Sequence, residues 1–122
     1  MAKILIVDDS ESQRTRLKTD LESGKHLVVE ACDGHDGLEK LSQNPDVALI
    51  ICDVNMPGMD GLTMCSKIHQ LEKFSTLPIF MLTSEATAEL KKTAKEYGVR
   101  AWITKPYVAI KLLEALEKVI KK

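Results

Sequence analysis

Short apolar runs alternate with longer amphipathic stretches along the whole chain of 122 residues. Runs rich in β-branched and other aliphatic side chains are typical of strands buried in a parallel sheet. Stretches in which leucine or isoleucine recurs every three or four residues are typical of helices with one buried face. The pattern predicts strands at 3–7, 27–31, 47–52, 78–82 and 100–104.

Capping residues predict where the intervening helices begin and end. Ser10 is a favourable N-cap for a helix at 11–23, and Gly24 would end that helix. A second helix should follow Asp33-Gly34 and stop at Asn44-Pro45, because proline disfavours helical geometry in the residue before it. Further helices are expected at 61–73, 87–97 and 107–120.

Two of these helices carry apolar side chains at helical spacing, and the expected stripes are Leu62, Cys65, Ile68 and Leu71 in one and Ile110, Leu113, Leu116 and Ile120 in the other. Five short strands alternating with five helices predict right-handed crossovers. The expected architecture is therefore an α/β domain with a parallel sheet covered by helices on both faces.

Composition fits one globular domain. Aromatic residues make up 4% of the chain, so aliphatic side chains and methionine are expected to form the core. No apolar run approaches the roughly 18–20 residues that cross a bilayer, and no secretory signal is present. Cys32, Cys52 and Cys65 show no CxxC spacing, and we expect Cys32 and Cys52 to lie in core strands as small hydrophobes. These features predict a protein of the reducing cytoplasm.

Charge is distributed unevenly although the net charge is −1. Residues 1–88 hold 8 Lys and Arg against 14 Asp and Glu, a net of −6, whereas residues 89–122 hold 9 against 4, a net of +5. The acidic part suggests a cation site and the basic part an acidic partner. A solvated helix surface would account for the basic excess equally well.

The strand ends carry the candidate chemistry. All strands of a parallel sheet end on one side, so a common rim should hold Asp8-Asp9, Asp53, Thr83-Ser84 and Lys105. Crowded carboxylates repel one another unless a cation joins them. Oxygen-only ligands that leave room for water favour Mg²⁺ over Ca²⁺, and the absence of cysteine and histidine from this set disfavours zinc.

An ammonium group and a hydroxyl beside one carboxylate suit phosphoryl transfer. Lys105 and a metal would neutralise charge, and the Thr83 hydroxyl would help to position the phosphoryl oxygens. Asp53 could act as an in-line nucleophile and form an acyl phosphate. Paired aspartates after a strand are often only a cap or a turn. No single motif therefore indicates a phosphoryl-transfer site; the indication comes from finding suitable residues at the ends of four strands.

These motifs resemble the receiver domain of two-component response regulators. The similarity extends over the whole chain and comprises Asp8-Asp9, Asp53 within DVNMPGMDG, Thr83 and Lys105-Pro106. It implies a flavodoxin-like (βα)5 fold with the family's strand order 2-1-3-4-5. It also implies a single receiver domain at 1–122 without an output domain.

The resemblance implies a role for each rim residue. Asp53 would accept a phosphoryl group from a sensor histidine kinase. Asp8, Asp9, Asp53 and the backbone carbonyl of Asn55 would hold Mg²⁺, and Lys105 would contact the phosphate. The Lys105-Pro106 bond is expected to be cis, as in the family.

Two further sets of residues concern the switch and the lifetime of the signal. Thr83 resembles the switch hydroxyl, and Trp102 stands where the family usually has Tyr or Phe. Alternation along the strand should point Trp102 away from Ala101 and Ile103, and the indole would either move with the switch or simply pack. Asn55 and Glu85 resemble the chemotaxis type, which loses its phosphoryl group quickly, so we expect a signal that lasts seconds to minutes.

The basic part resembles the family's output face, and the residues concerned are Lys91, Lys92, Lys95, Trp102, Tyr107, Lys111 and Lys118. We expect output by docking to another protein, with the flagellar motor switch as the leading partner and a phosphatase as a further one. Nucleic acid is not expected as a partner, because net charge is near zero and no recognition helix is evident. A membrane is not expected either, because no apolar run is long enough to span one. The protein is not expected to be an enzyme beyond its own phosphorylation and dephosphorylation.

Of three alternative functions, the sequence leaves the first open and disfavours the other two. A phosphorelay intermediate or phosphate sink would pass the group to a second histidine protein. A flavodoxin-like redox module would need a phosphate-cradling loop rich in Gly, Ser and Thr, where this chain has Asp8-Asp9-Ser10. An aspartate-nucleophile phosphatase would resemble a DxD pattern, where this chain has Asn55 two residues after Asp53.

Overall fold

A computed structural model describes residues 2–120 and contains one five-stranded sheet. The strands are β1 (Lys3–Val7), β2 (Leu27–Ala31), β3 (Leu49–Cys52), β4 (Ile79–Thr83) and β5 (Val99–Thr104). The helices are α1 (Glu11–Ser23), α2 (Gly34–Gln43), α3 (Gly61–Gln70), α4 (Ala88–Glu96) and α5 (Ala109–Ile120), with a 3₁₀ turn at Glu72–Phe74.

All neighbouring strands are parallel, and their order is β2-β1-β3-β4-β5. The expected flavodoxin-like topology is therefore confirmed. Register decides which strand ends meet: Val7 pairs with Cys52, and Cys52 pairs with Met81. The residues that follow these pairs consequently come together at the carboxyl edge of the sheet.

Alternating side chains of the central strands form two separate cores. Leu5 and Val7 of β1 face the side covered by α2, α3 and α4, whereas Ile4 and Ile6 face α1 and α5. Both cores are almost entirely aliphatic, with methionines in the first and Phe80 in the second. This arrangement is the doubly wound layering that the strand–helix alternation predicted.

Two expected helix stripes differ from the structure. α3 ends at Gln70 rather than at residue 73, so Leu71 is 47% exposed and Met64 is buried instead. In α5, Ile110 is 67% exposed and Leu112 is buried. Two residues correspond to about 200° of helical rotation, so a helix that turns Leu112 towards the sheet turns Ile110 towards solvent.

The cysteine prediction was half right. Cys52 is buried at the end of β3, where its sulfur lies 3.8 Å from that of buried Cys65. Cys32 is exposed, because it follows the edge strand β2 and its backbone N–H donates to Asp36 outside the core.

Tight backbone packing holds the loop between β3 and α3 against the sheet. A β-carbon added to Gly61 would lie 2.0 Å from the carbonyl oxygen of Asp53, so only glycine fits there. Gly58 in the same loop has φ of +75°, a left-handed conformation that glycine adopts without strain. Within residues 2–120, no helix is long and apolar enough to span a membrane.

Candidate functional site

The carboxyl edge of the sheet contains an open cavity of about 560 Å³. The predicted rim residues that line it are Asp8, Asp9, Asp53, Asn55, Ser84 and Lys105. Leu82 of β4, the beginning of α1 with its N-cap, and the segment after β5 complete the wall; the last two contribute Ser10, Gln13, Arg16, Leu17, Pro106 and Tyr107. The strand ends therefore deliver their polar side chains to one place, as parallel pairing requires.

The ammonium group of Lys105 lies between two carboxylates. Its Nζ donates to Oδ2 of Asp8 and to Oδ2 of Asp53, each at 2.8 Å, and also to Oε1 of Gln13. Partial burial lowers the pKa of Lys105, but hydrogen bonds and charge from Asp53 and Asp8 outweigh it and leave this pKa above its ordinary value. The peptide bond to Pro106 is cis, as expected.

The other carboxylate oxygens are held by the backbone. Oδ1 of Asp8 accepts from the N–H of Ser10 at 2.9 Å, and Oδ1 of Asp53 accepts from the N–H of Asn55 at 3.0 Å. Asp8 and Asp53 are each only 8% exposed. Both carboxylates are thus fixed in orientation, with one oxygen towards the backbone and the other towards Lys105.

The expected metal ligands offer only oxygen donors. Asp9 is exposed at the mouth of the cavity, beside Asp8, Asp53 and Asn55. Within residues 2–120, no three His, Cys, Asp or Glu side chains are placed closely enough to hold a metal ion, and the Lys105 ammonium contacts both Asp8 and Asp53. The donor types nevertheless fit a hard cation such as Mg²⁺.

Thr83 does not line the cavity. The side chain is completely buried, and its hydroxyl oxygen accepts from the N–H of Glu85 at 3.3 Å. Alternation along β4 directs Thr83 to the same face as Met81, where Trp102 also packs. The structure therefore places Thr83 behind the rim, on the sheet face where Trp102 packs, with Ser84 at the rim itself.

Hydrogen bonds beside the cavity join the β3–α3 loop, the β4–α4 loop and strand β5. The side-chain amide of Asn55 donates to the carboxylate of Glu85 at 2.8 Å, and Nε1 of Trp102 donates to the carbonyl oxygen of Glu85 at 3.0 Å. Ala101 and Ile103 pack into the opposite core, so the predicted orientation of Trp102 is confirmed.

Tyr107 lies apart from Trp102. Its hydroxyl donates to Oδ2 of Asp20 in α1 at 2.6 Å, and Arg16 stacks over its ring at 6.0 Å. Burial, followed by the hydrogen bond to Asp20, raises the pKa of Tyr107. Tyr107 packs against the core on the α1 and α5 side, whereas Trp102 packs against the core on the opposite side of the sheet. The predicted lysines of the output face are all exposed, namely Lys91, Lys92, Lys95, Lys111 and Lys118.

Sequence reasoning missed Gln13 and Arg16 as members of the site. Their position in the sequence could have indicated this role, because both lie on α1 soon after Asp8-Asp9, and Gln13 is the third residue of that helix. Nothing in their residue type pointed to the cavity.

The fold and this rim define a class of protein. The family model described as the response regulator receiver domain matches residues 4–117, and the chain belongs to that family. Receiver domains partner with histidine kinases and downstream targets and are generally Mg²⁺-dependent.

Within the family, the similarity is to chemotaxis proteins of the CheY type, which are signalling proteins. The chain is 39% identical to chemotaxis protein CheY1 of Helicobacter pylori over 119 residues, which cover 97% of this chain and 96% of that protein. The structure of chemotaxis protein CheY4 of Vibrio cholerae superposes with a TM-score of 0.91 at 36% identity, covering 98% of both chains. The CheX–CheY–BeF3–Mg+2 complex from Borrelia burgdorferi matches at 27% identity with a TM-score of 0.91, covering 99% of this chain and 90% of that one.

Proposed function

We propose that this protein accepts a phosphoryl group from a sensor histidine kinase on Asp53 and signals by docking to another protein. The observation that carries the proposal is the arrangement of Asp53, Asp8 and Lys105. One nucleophilic carboxylate, held by the Asn55 N–H, shares an ammonium group with a second carboxylate at an open cavity.

The transfer requires no proton from Asp53. A carboxylate oxygen of Asp53 attacks phosphorus as the bond from phosphorus to the kinase imidazole nitrogen breaks, and an acyl phosphate forms. Asp8, Asp9, Asp53 and the carbonyl of Asn55 would hold Mg²⁺, which when bound neutralises charge on the phosphoryl oxygens.

Lys105 supplies a movable positive charge. In the structure its ammonium contacts the Asp53 carboxylate. Phosphorylation converts the charged carboxylate into a neutral acyl group, and the phosphoryl group brings its own negative charge to the same place, which the flexible lysine side chain can follow. The same ammonium would thus stabilise the carboxylate before transfer and the phosphoryl group after it.

The switch is proposed to connect Thr83 with Trp102. A phosphoryl oxygen would attract the Thr83 hydroxyl, whose present contact is the Glu85 N–H. Trp102 donates a hydrogen bond to the carbonyl of the same Glu85, so movement of the β4–α4 loop would displace the indole directly. The exposed lysines of α4 and α5 lie on the elements that this movement would affect.

Asn55 and Glu85 are proposed to set the lifetime of the phosphoryl group. Their side chains are hydrogen-bonded to each other, and Asn55 lines the cavity. Water attacking phospho-Asp53 would have to pass this pair, so their polarity would influence hydrolysis.

We further propose chemotaxis as the setting and a flagellar motor switch protein as the docking target. Support comes from the similarity to chemotaxis proteins and from the basic surface, which suits an acidic partner. A phosphatase would be a second partner. The B. burgdorferi CheY that is bound to CheX provides a precedent for a protein partner in the presence of BeF3 and Mg²⁺.

The test is incubation with acetyl phosphate and Mg²⁺, followed by intact mass and Trp102 fluorescence. Wild-type protein should gain the mass of one phosphoryl group, and Asp53→Asn should gain none. No gain in the wild type, or an equal gain in Asp53→Asn, would overturn the proposal. Return of the phosphoryl group to a histidine phosphotransfer domain faster than hydrolysis would favour the relay alternative.

A further inference from the structure

Lys105 has a third partner that the proposed chemistry does not use. An ammonium group has three N–H donors. Two point to the carboxylates of Asp8 and Asp53, and the third reaches the side-chain carbonyl of Gln13 on α1. Gln13 also lines the cavity, so this contact belongs to the rim and not to a distant surface.

The beginning of α1 shows how Gln13 becomes available for this contact. Ser10 and Gln13 have the spacing of a capping box, in which the third helical residue usually accepts from the N–H of the N-cap. Here the Ser10 N–H donates to Oδ1 of Asp8, while the Ser10 hydroxyl accepts from the Gln13 N–H. Asp8 therefore caps the helix in place of the glutamine side chain, whose carbonyl oxygen contacts Lys105.

The three acceptors around Lys105 differ in what happens to them during phosphorylation. Asp53 becomes an acyl phosphate and Asp8 would bind Mg²⁺, so both change their interaction with the ammonium group. Gln13 is neutral, takes no part in the transfer and stands on a helix whose first turn is capped. It can hold the ammonium while the other two contacts change.

We infer that Gln13 is a positioning residue that holds the Lys105 ammonium at the rim while the phosphoryl group is transferred. The inference rests on the proposed phosphorylation of Asp53. A lysine side chain is long and flexible, so a fixed neutral acceptor reduces the number of conformations that it must lose when the phosphoryl group arrives. The acceptor oxygen, and not the charge of residue 13, is what the role needs.

The test compares Gln13→Met with Gln70→Met. Methionine keeps the length and helix propensity of glutamine but removes the carbonyl acceptor. Gln70 is an exposed helical glutamine on α3 that does not line the cavity and serves as the matched control. Each variant is phosphorylated with acetyl phosphate over a range of Mg²⁺ concentrations, in wild-type and Lys105→Met backgrounds.

Gln13→Met should lower the maximal rate roughly three- to tenfold, the scale of one hydrogen bond to a charged group that is partly exposed. The Mg²⁺ concentration at half-saturation should not change, and Gln70→Met should match wild type. In the Lys105→Met background, Gln13→Met should have no further effect, because the two residues act together. A wild-type rate for Gln13→Met, or an equal slowing in both backgrounds, would overturn the inference. Failure of the wild type to be phosphorylated would overturn the proposed function instead.

Discussion

Oδ2 of Asp53 lies 2.8 Å from Nζ of Lys105, although 52 residues separate them in the chain. The same ammonium contacts Asp8 at an equal distance, so one cation compensates two carboxylates that are nearly buried. The Lys105 ammonium therefore compensates the charge of both carboxylates, and phosphorylation of Asp53 must change these contacts.

Replacing Lys105 with methionine should destabilise the folded protein at neutral pH. Asp8 and Asp53 would face each other without a cation, and an uncompensated buried charge typically costs about 1–3 kcal/mol. The free energy of unfolding in urea, measured without Mg²⁺, tests this expectation.

The double variant provides the control for that loss. Asp53→Asn removes one of the two repelling charges, so it should restore stability in the Lys105→Met background. If Asp53→Asn is equally destabilising with and without Lys105, the charge-balance interpretation is wrong.

The sequence predicted helix ends well where a single capping residue determines where the helix begins or ends. The bounds of α1 agree with the sequence because Ser10 and Gly24 supply its caps. The strand order was implied by family resemblance, and the convergence of Asp8, Asp53 and Lys105 followed from parallel pairing.

Residue spacing was not enough to predict which side chains are buried or which loop contacts form, because tertiary packing determines both. Spacing alone made Ile110 a core residue, but the rotation of α5 against the sheet buried Leu112 instead. Tyr107 could pack on either side of the strand end, and contact with Asp20 placed it against α1. The bond between Trp102 and Glu85 likewise depends on a loop conformation that residue spacing does not encode.

The Tyr107–Asp20 contact predicts a specific response to alkaline pH. Because burial and Asp20 raise the pKa of Tyr107 above its unfolded value of about 10, the stabilising contribution is complete below pH 10 and declines as pH rises further. Stability of the wild type should therefore fall more steeply above pH 10 than stability of Tyr107→Phe. Thermal unfolding of both proteins across this range measures the difference, and parallel curves would contradict the prediction.

The bond between Asn55 and Glu85 predicts an effect on signal lifetime. Asn55→Met removes a polar side chain at the cavity and should slow hydrolysis of phospho-Asp53 by about tenfold, the scale of one lost hydrogen bond to the attacking water. Decay of the phosphorylated mass after removal of acetyl phosphate gives the rate. Asn44→Met, at the C-cap of α2, is the matched control and should decay like the wild type. Equal decay in all three proteins would show that Asn55 does not set the lifetime.

The close approach of Gly61 to Asp53 predicts that two glycines of one loop respond differently to alanine. At Gly61 a methyl group would meet the Asp53 carbonyl at 2.0 Å, and relief of that overlap should cost about 3 kcal/mol of unfolding free energy. At Gly58 no atom lies within 4 Å of the added carbon, so only the left-handed backbone is penalised, by about 1–2 kcal/mol.

The two glycine variants should also differ in their rate of phosphorylation. Relief of the clash at Gly61 must displace the residue that carries the proposed nucleophile, and a displacement of about 1 Å can reduce a transfer rate about 100-fold. Gly61→Ala should therefore lose most of its acetyl phosphate reactivity even under conditions where it is folded, whereas Gly58→Ala should keep a rate near that of the wild type. Equal rates in the two variants would mean that the Gly61–Asp53 contact does not position the carboxylate.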